Sequence, residues 1–190
     1  MRIASSEESI VNLNESLLPS GGCEKLFVWG GLILLALAGW KAASYSAFQL
    51  HPEWFEHGRN GQVAGRLQIK CLGLSVVVVN GDDEKSLSLG AGLVTGTAPI
   101  GSNGNTVIAG HRDLAFRALR NVQAGDVVRL ESADAKSYSY LVEDTRIVNS
   151  DDVSVLASDG RPKLTMITCY PFHYMGDAPK RYIVDARPIN

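Results

Sequence analysis

The chain has 190 residues, 45% of them hydrophobic and 20% charged, with a formal net charge of −2. That length suits one domain plus accessory segments and is enough to bury a core. Acidic and basic residues are mixed along the chain with no basic stripe, which argues against nucleic acid as a partner. Glycine is frequent, and long helical patterns are scarce beyond residue 60, which points to an all-β domain with many turns.

Residues 1–24 are polar and mildly acidic (Glu7, Glu8, Glu15, Glu24), the composition of a short disordered tail. Residues 25–50 follow as an apolar segment, "LFVWGGLILLALAGW" between Lys25 and Lys41, then "AASYSAFQL" without further charge. A helix over residues 26–48 would be roughly 35 Å long at about 1.5 Å per residue, enough to cross the hydrocarbon core with tilt. The favoured reading is a transmembrane anchor. Two alternatives stay open: a cleaved signal peptide, because "ALA" at 36–38 resembles a cleavage site, and a buried core helix. The acidic region ahead of the run speaks against the signal peptide. Charges flanking the run are too balanced for the positive-inside rule to orient it.

Residues 51–65 read as a juxtamembrane linker. His51 and His57 lie here without accompanying Cys or acidic ligands, so they are read as solvated and no metal is assigned. Residues 66–190 form the expected folded domain. "RLQIK", "LSVVVV", "GNTVIAGHR", "DVVRL", "SYSYLV", "KLTMITC" and "RYIVDA" have strand character, separated by turn signals. Leu114, Ala118 and Leu119 have helical spacing and predict one short helix over residues 113–122. Residues 151–158 predict a second, with an acidic N-terminal cap. "NGDDE" and "NSDD" lack the ligand spacing of a calcium loop and read as polar turns. So many strands in so short a domain suggest a closed barrel or a sandwich.

Three residues carry candidate chemistry. Cys169 ends the apolar strand "LTMITC", ahead of the strand-breaking Tyr170 and Pro171. A free thiol is only a few per cent thiolate at neutral pH, so a nucleophilic cysteine needs a helper. His111, at the end of "VIAGH", fits that part. Arg181, opening "RYIV", fits as a donor to a developing oxyanion. Tyr182, Val184 and Ala186 share the other face of that strand, so Arg181 need not enter the core. Simpler readings remain beside these: a Cys71–Cys169 disulfide, a Cys169 that is only a small buried hydrophobe, a solvated His111 and an edge charge at Arg181. Cys71 itself reads as a buried strand residue. His173 and Tyr174 lie between the nucleophile and the arginine strand, as groove lining or plain loop.

The ordered set resembles the sortases, membrane-anchored cysteine transpeptidases. "LTMITC" is similar to the family's strand-borne T-L-x-T-C pattern, "GNTVIAGHR" to its histidine segment and "RYIV" to its arginine strand. "LGAGLVTGTAPIGSNGN" and "FRALRNVQAGDVVRL" also resemble family segments. The resemblance implies a closed β-barrel of about seven to eight strands with one or two short helices, preceded by the transmembrane helix. It implies Cys169 as nucleophile, His111 as general acid/base, Arg181 as oxyanion and substrate-backbone donor, and Thr168 as a substrate contact. No cofactor is implied. The implied substrate is a secreted protein with a C-terminal L-P-x-T-G-like sorting signal, cleaved through a thioester, the acyl group passing to an unidentified amine or to water. "TCYPF" followed by "APKRYIV" most resembles sortases of Gram-negative bacteria, which implies an inner-membrane anchor and a periplasmic domain. The rival readings are a non-catalytic, membrane-tethered β-barrel adaptor that only binds peptides, and a zinc module on His111 and Cys169, which lacks further ligands.

Overall fold

The computed structural model of the chain describes residues 23–50 and 62–189. The expected tail, and most of the expected linker with His51 and His57, lie outside the described residues. Two compact units are present, Met1–Ala42 and Ala43–Asn190. Helix α1 (Cys23–Leu50) begins in the first. Its stretch Phe27–Leu50 is long and apolar enough to cross a membrane.

The second unit is built on a closed eight-stranded barrel with the strand order β1-β2-β3-β4-β7-β8-β6-β5. The strands are β1 (Val63–Ile69), β2 (Leu74–Asn80), β3 (Ala91–Leu93), β4 (Asn105–Gly110), β5 (Val127–Ser132), β6 (Ser137–Asn149), β7 (Lys163–Tyr170) and β8 (Lys180–Pro188). Neighbours are antiparallel except β2–β3 and β4–β7, which run parallel. Leu67, Val76, Ile108, Leu130, Leu164, Met166 and Val184 meet inside the barrel. Side chains alternate across a strand, so the intervening residues face outward.

The unbroken valine run of β2 has a direct cause. Val76 and Val78 face the barrel interior, while Val77 and Val79 are covered from outside by Phe48 near the end of α1. A strand buried on both faces needs no polar alternation. The Gln49 side chain bridges the adjoining edge, its Oε1 accepting from Val77 N (2.7 Å) and its Nε2 donating to Leu89 O (2.8 Å).

The helices differ from expectation. The segment predicted as a helix over residues 113–122 is a turn followed by a 3₁₀ helix, Arg117–Asn121. The second predicted helix is a shorter 3₁₀ turn, Val153–Leu156, whose acidic cap is Asp152, accepting from Ser154 N. An unexpected helix, α2 (Glu84–Leu89), follows directly on "NGDD". Asp83 caps it by accepting from Lys85 N and Ser86 N, and the Ser86 hydroxyl, which donates to Asp83 Oδ2 at 2.7 Å, joins these bonds in holding the Asp83 carboxyl below the usual range.

Candidate active site

Strand register brings the three candidate residues together. Gly110 on β4 lies opposite Thr168 on β7, and Cys169 lies opposite Arg181 on β8. His111 directly follows Gly110, so it leaves β4 at the end of the sheet where Cys169 lies. The three therefore lie at adjacent strand ends, Cys169 and Arg181 as ladder partners on strands about 4.8 Å apart. Parity puts Cys169 and Arg181 on one face. Leu164 and Met166 belong to the interior, so Thr165, Ile167 and Cys169 face out, as do Val107 and Ala109 on β4 and Arg181 and Ile183 on β8. Cys169 is a free, half-buried thiol.

The backbone around His111 is tightly held. Its carbonyl accepts from Phe116 N (2.9 Å) and Leu114 N (3.3 Å). The buried Phe116 ring packs so closely on Gly110 that a Cβ there would lie 2.8 Å from it. Gly110 O in turn accepts from Thr168 Oγ1 at 2.7 Å. Thr168 is only 2% exposed and its hydroxyl is spent on this bond, a geometry that supports a positioning role more than the expected substrate contact.

His111 Nε2 lies 3.8 Å from Glu84 Oε1, at the start of α2. That is the range of an ion pair more than of a hydrogen bond. No sequence signal singled out Glu84, because its segment read as a polar turn. Arg181 Nη1 donates to Ala178 O and Lys180 O, both at 3.0 Å. Its Nη2 and Nε have no hydrogen bond among the described residues, so part of the guanidinium fork is open to a ligand.

One connection sits at each end of β7, the β7–β8 connection at the end that carries Cys169. Residues 150–162, joining β6 to β7, are tied to the wall by Asn105, whose Nδ2 donates to Val155 O (3.0 Å) and Ala157 O (3.2 Å). Beneath them Thr165 Oγ1 lies 2.8 Å from Asn105 Oδ1 and 2.9 Å from the Asp185 carboxylate, which also pairs with Arg146 and Lys163. The β7–β8 connection is held by Arg112, whose Nη2 donates to Tyr174 O (2.7 Å) and Gly176 O (3.2 Å). Phe172 and Tyr182 pack edge to face there, with ring centroids 5.3 Å apart. Of the two loop residues singled out in the sequence, His173 lines a small cavity with Arg112, and Tyr174 supplies the carbonyl that Arg112 grips. Arg112 was missed by sequence reasoning; its only signal was its place beside His111.

Cys71 corrects an expectation. It is an exposed free thiol in the 3₁₀ turn Lys70–Leu72, outside any strand, because the chain turns there between β1 and β2. Local desolvation and the Asp126 carboxyl beside it push the thiol up from its ordinary value. It makes no disulfide with Cys169.

A thiol, an imidazole and a guanidinium set at adjacent strand ends of a closed barrel match the layout of a cysteine acyl-transfer site. The family model "Sortase domain" matches residues 67–189, and the chain belongs to the sortase family. It is 36% identical to sortase D of Bacillus subtilis over 130 residues, covering 68% of this chain and 65% of that protein. It is 31% identical to sortase A of Bacillus anthracis over 127 residues, covering 65% and 58% respectively. The chain thus spans about two-thirds or less of the length of these curated relatives. A solved sortase D5 transpeptidase of Clostridium perfringens superposes with a TM-score of 0.62 at 25% identity, covering 78% of this chain and 95% of that one. Sortase D of Bacillus is a Gram-positive protein, so the similarity lends no support to the Gram-negative resemblance.

Proposed function

We propose that the chain is a membrane-anchored cysteine transpeptidase that cleaves an L-P-x-T-G-like sorting signal on a secreted protein and transfers the new acyl end to an amine or to water. The observation that carries this reading is that His111, Cys169 and Arg181 lie at adjacent strand ends, which the β4–β7 and β7–β8 registers support. Cys169 gives its thiol proton to His111 as Sγ attacks the carbonyl carbon of the scissile Thr–Gly bond. Arg181 donates to the oxygen as charge develops on it. His111 gives a proton to the departing glycine nitrogen as the C–N bond breaks, leaving a thioester. An incoming amine then attacks the thioester carbon and its proton passes to His111, while the C–S bond breaks and the thiolate is released. Thr168 acts through the backbone, holding the end of β4 against β7.

Family membership and the apolar stretch Phe27–Leu50 support a single-pass anchor with the barrel outside the cytoplasm. The finer placement, an inner membrane and a periplasmic barrel, rests on the "TCYPF…APKRYIV" resemblance alone. Reporter fusions at the C-terminus test the orientation.

The activity is tested with a panel of L-P-x-T-G-like peptides. A reactive peptide forms a covalent adduct at Cys169 that hydroxylamine releases as a hydroxamate, and Cys169→Ala abolishes it. Binding without adduct across the panel, unaffected by Cys169→Ala, would sink the enzyme reading and leave the adaptor.

A further inference from the structure

The acyl-transfer reading leaves the acceptor open, and a cavity beside the catalytic residues bears on it. A pocket of about 180 Å³ is lined by Arg112, Asp113, Arg117, Arg120, Phe172 and His173. Three guanidiniums face one carboxylate. Arg117 and Arg120 stand together because the 3₁₀ helix Arg117–Asn121 has three residues per turn, which eclipses side chains three apart. Neither has an ion pair among the described residues. Arg112 Nη1 is buried and has no hydrogen-bond partner there, although Nη2 of the same side chain is satisfied. Three like charges against a single carboxylate, one of them with a buried orphan donor, make a site that an anionic group relieves.

Its position says which reactant brings the anion. The acceptor amine must surrender its proton to His111 and so approaches from the His111 side of the thioester. Arg112 is the next residue in the chain, and Phe172 and His173, which follow Cys169 closely, also line the pocket. The outward face of β7, where Ile167 is half-buried, is left for the acyl chain. The volume fits a single small group and is below the range of a drug-sized site.

We propose that this pocket is an acceptor subsite for a carboxylate, so that the preferred acceptor is an amine carrying a free carboxylate a few bonds from the nitrogen. This rests on the acyl-transfer reading and adds the class of the second substrate. Bidentate arginine recognition suits a planar carboxylate and rejects its neutral amide.

The test is a competition for one thioester pool. The full chain in detergent is given a fluorogenic L-P-x-T-G-type peptide with equal Nα-acetyl-lysine and Nα-acetyl-lysinamide. Both offer the same ε-amine and differ only in the distal carboxylate. The expected product ratio favours the acid by about tenfold, the scale of one charge-assisted hydrogen bond lost, and it narrows as salt is raised. In Arg117→Gln/Arg120→Gln the ratio falls towards one. Any change in acylation rate cancels, because both products come from the same intermediate. A wild-type ratio near one, or a preference that survives in the double variant, overturns the subsite. Failure to form any thioester at Cys169 removes the acyl-transfer reading and this inference together, and the initial fluorescence burst tells the two failures apart.

Discussion

Replacing Thr168 by valine isolates the joint between the histidine strand and the cysteine strand. The side chain is 2% exposed and its Oγ1 donates to Gly110 O at 2.7 Å. Valine keeps the shape but removes the donor, so a buried carbonyl loses its partner. The loss is about 1–3 kcal/mol for a buried group left unsatisfied. Gly110 immediately precedes His111, so the strain falls on the strand end that sets the His111–Cys169 spacing. A misplacement of about 1 Å in such a site lowers rate on the order of 10²-fold. Thr168→Ser keeps the hydroxyl and gives up only a methyl, at about 1 kcal/mol. The measurements are urea unfolding of each variant and kcat/KM for thioester formation with a reactive sorting peptide. The expectation is comparable destabilisation in both variants but a steep loss of kcat/KM only in the valine variant. Full activity in a folded Thr168→Val variant would refute the positioning role. Equal losses in both variants would move the cause from the hydroxyl to packing.

Arg181→Lys keeps the charge but loses the planar fork, so turnover should fall about 10²- to 10³-fold with the fold intact; near-normal turnover would remove Arg181 from the chemistry. Alkylation of Cys71 should reach its half-maximal rate at a higher pH than an ordinary thiol, because the raised pKa keeps it protonated further up the scale. Asp126→Asn should move that profile down, and an unmoved profile would leave desolvation as the sole cause. Phe48→Ala should destabilise the second unit by about 3–5 kcal/mol, the range for a buried aromatic lost, since Phe48 is 1% exposed against Val77 and Val79. Unchanged hydrogen-exchange protection on β2 would show that the end of α1 does not cover that strand.

Sequence alone showed the strands wherever apolar residues ran or alternated over five or more positions, and it missed β3, whose three residues Ala91–Leu93 are too few to carry a pattern. That strand exists because β2 and β4 supply partners on either side. The spacing of Leu114, Ala118 and Leu119 suggested a regular helix, yet His111 O takes the amides of Leu114 and Phe116, and the tightened turn continues as 3₁₀. Helix α2 was hidden because an Asp that caps a helix and an Asp that makes a turn look alike locally; the acidic residue after it was the available hint. For the site, the chemistry of Cys169, His111 and Arg181 was visible as three strand ends. Their adjacency was not, because it depends on the parallel pairing of β4 with β7 across more than fifty intervening residues. Glu84 and Arg112 reach the site from a short helix and a loop, where no period marks a functional side chain.

The end of α1 also changes the arithmetic of the anchor. A span over residues 26–48 needed tilt to fit a bilayer. Phe48 is buried on β2, Gln49 fills ladder positions at Val77 and Leu89, and Gln49 O accepts from Arg66 Nη2 at 2.8 Å. Residues so engaged are withdrawn from lipid. The stretch left for the bilayer, 27–47, gives roughly 30 Å at about 1.5 Å per residue, the thickness of the hydrocarbon core without tilt. The same glutamine that completes the β2 edge marks the point where the helix becomes part of the folded domain.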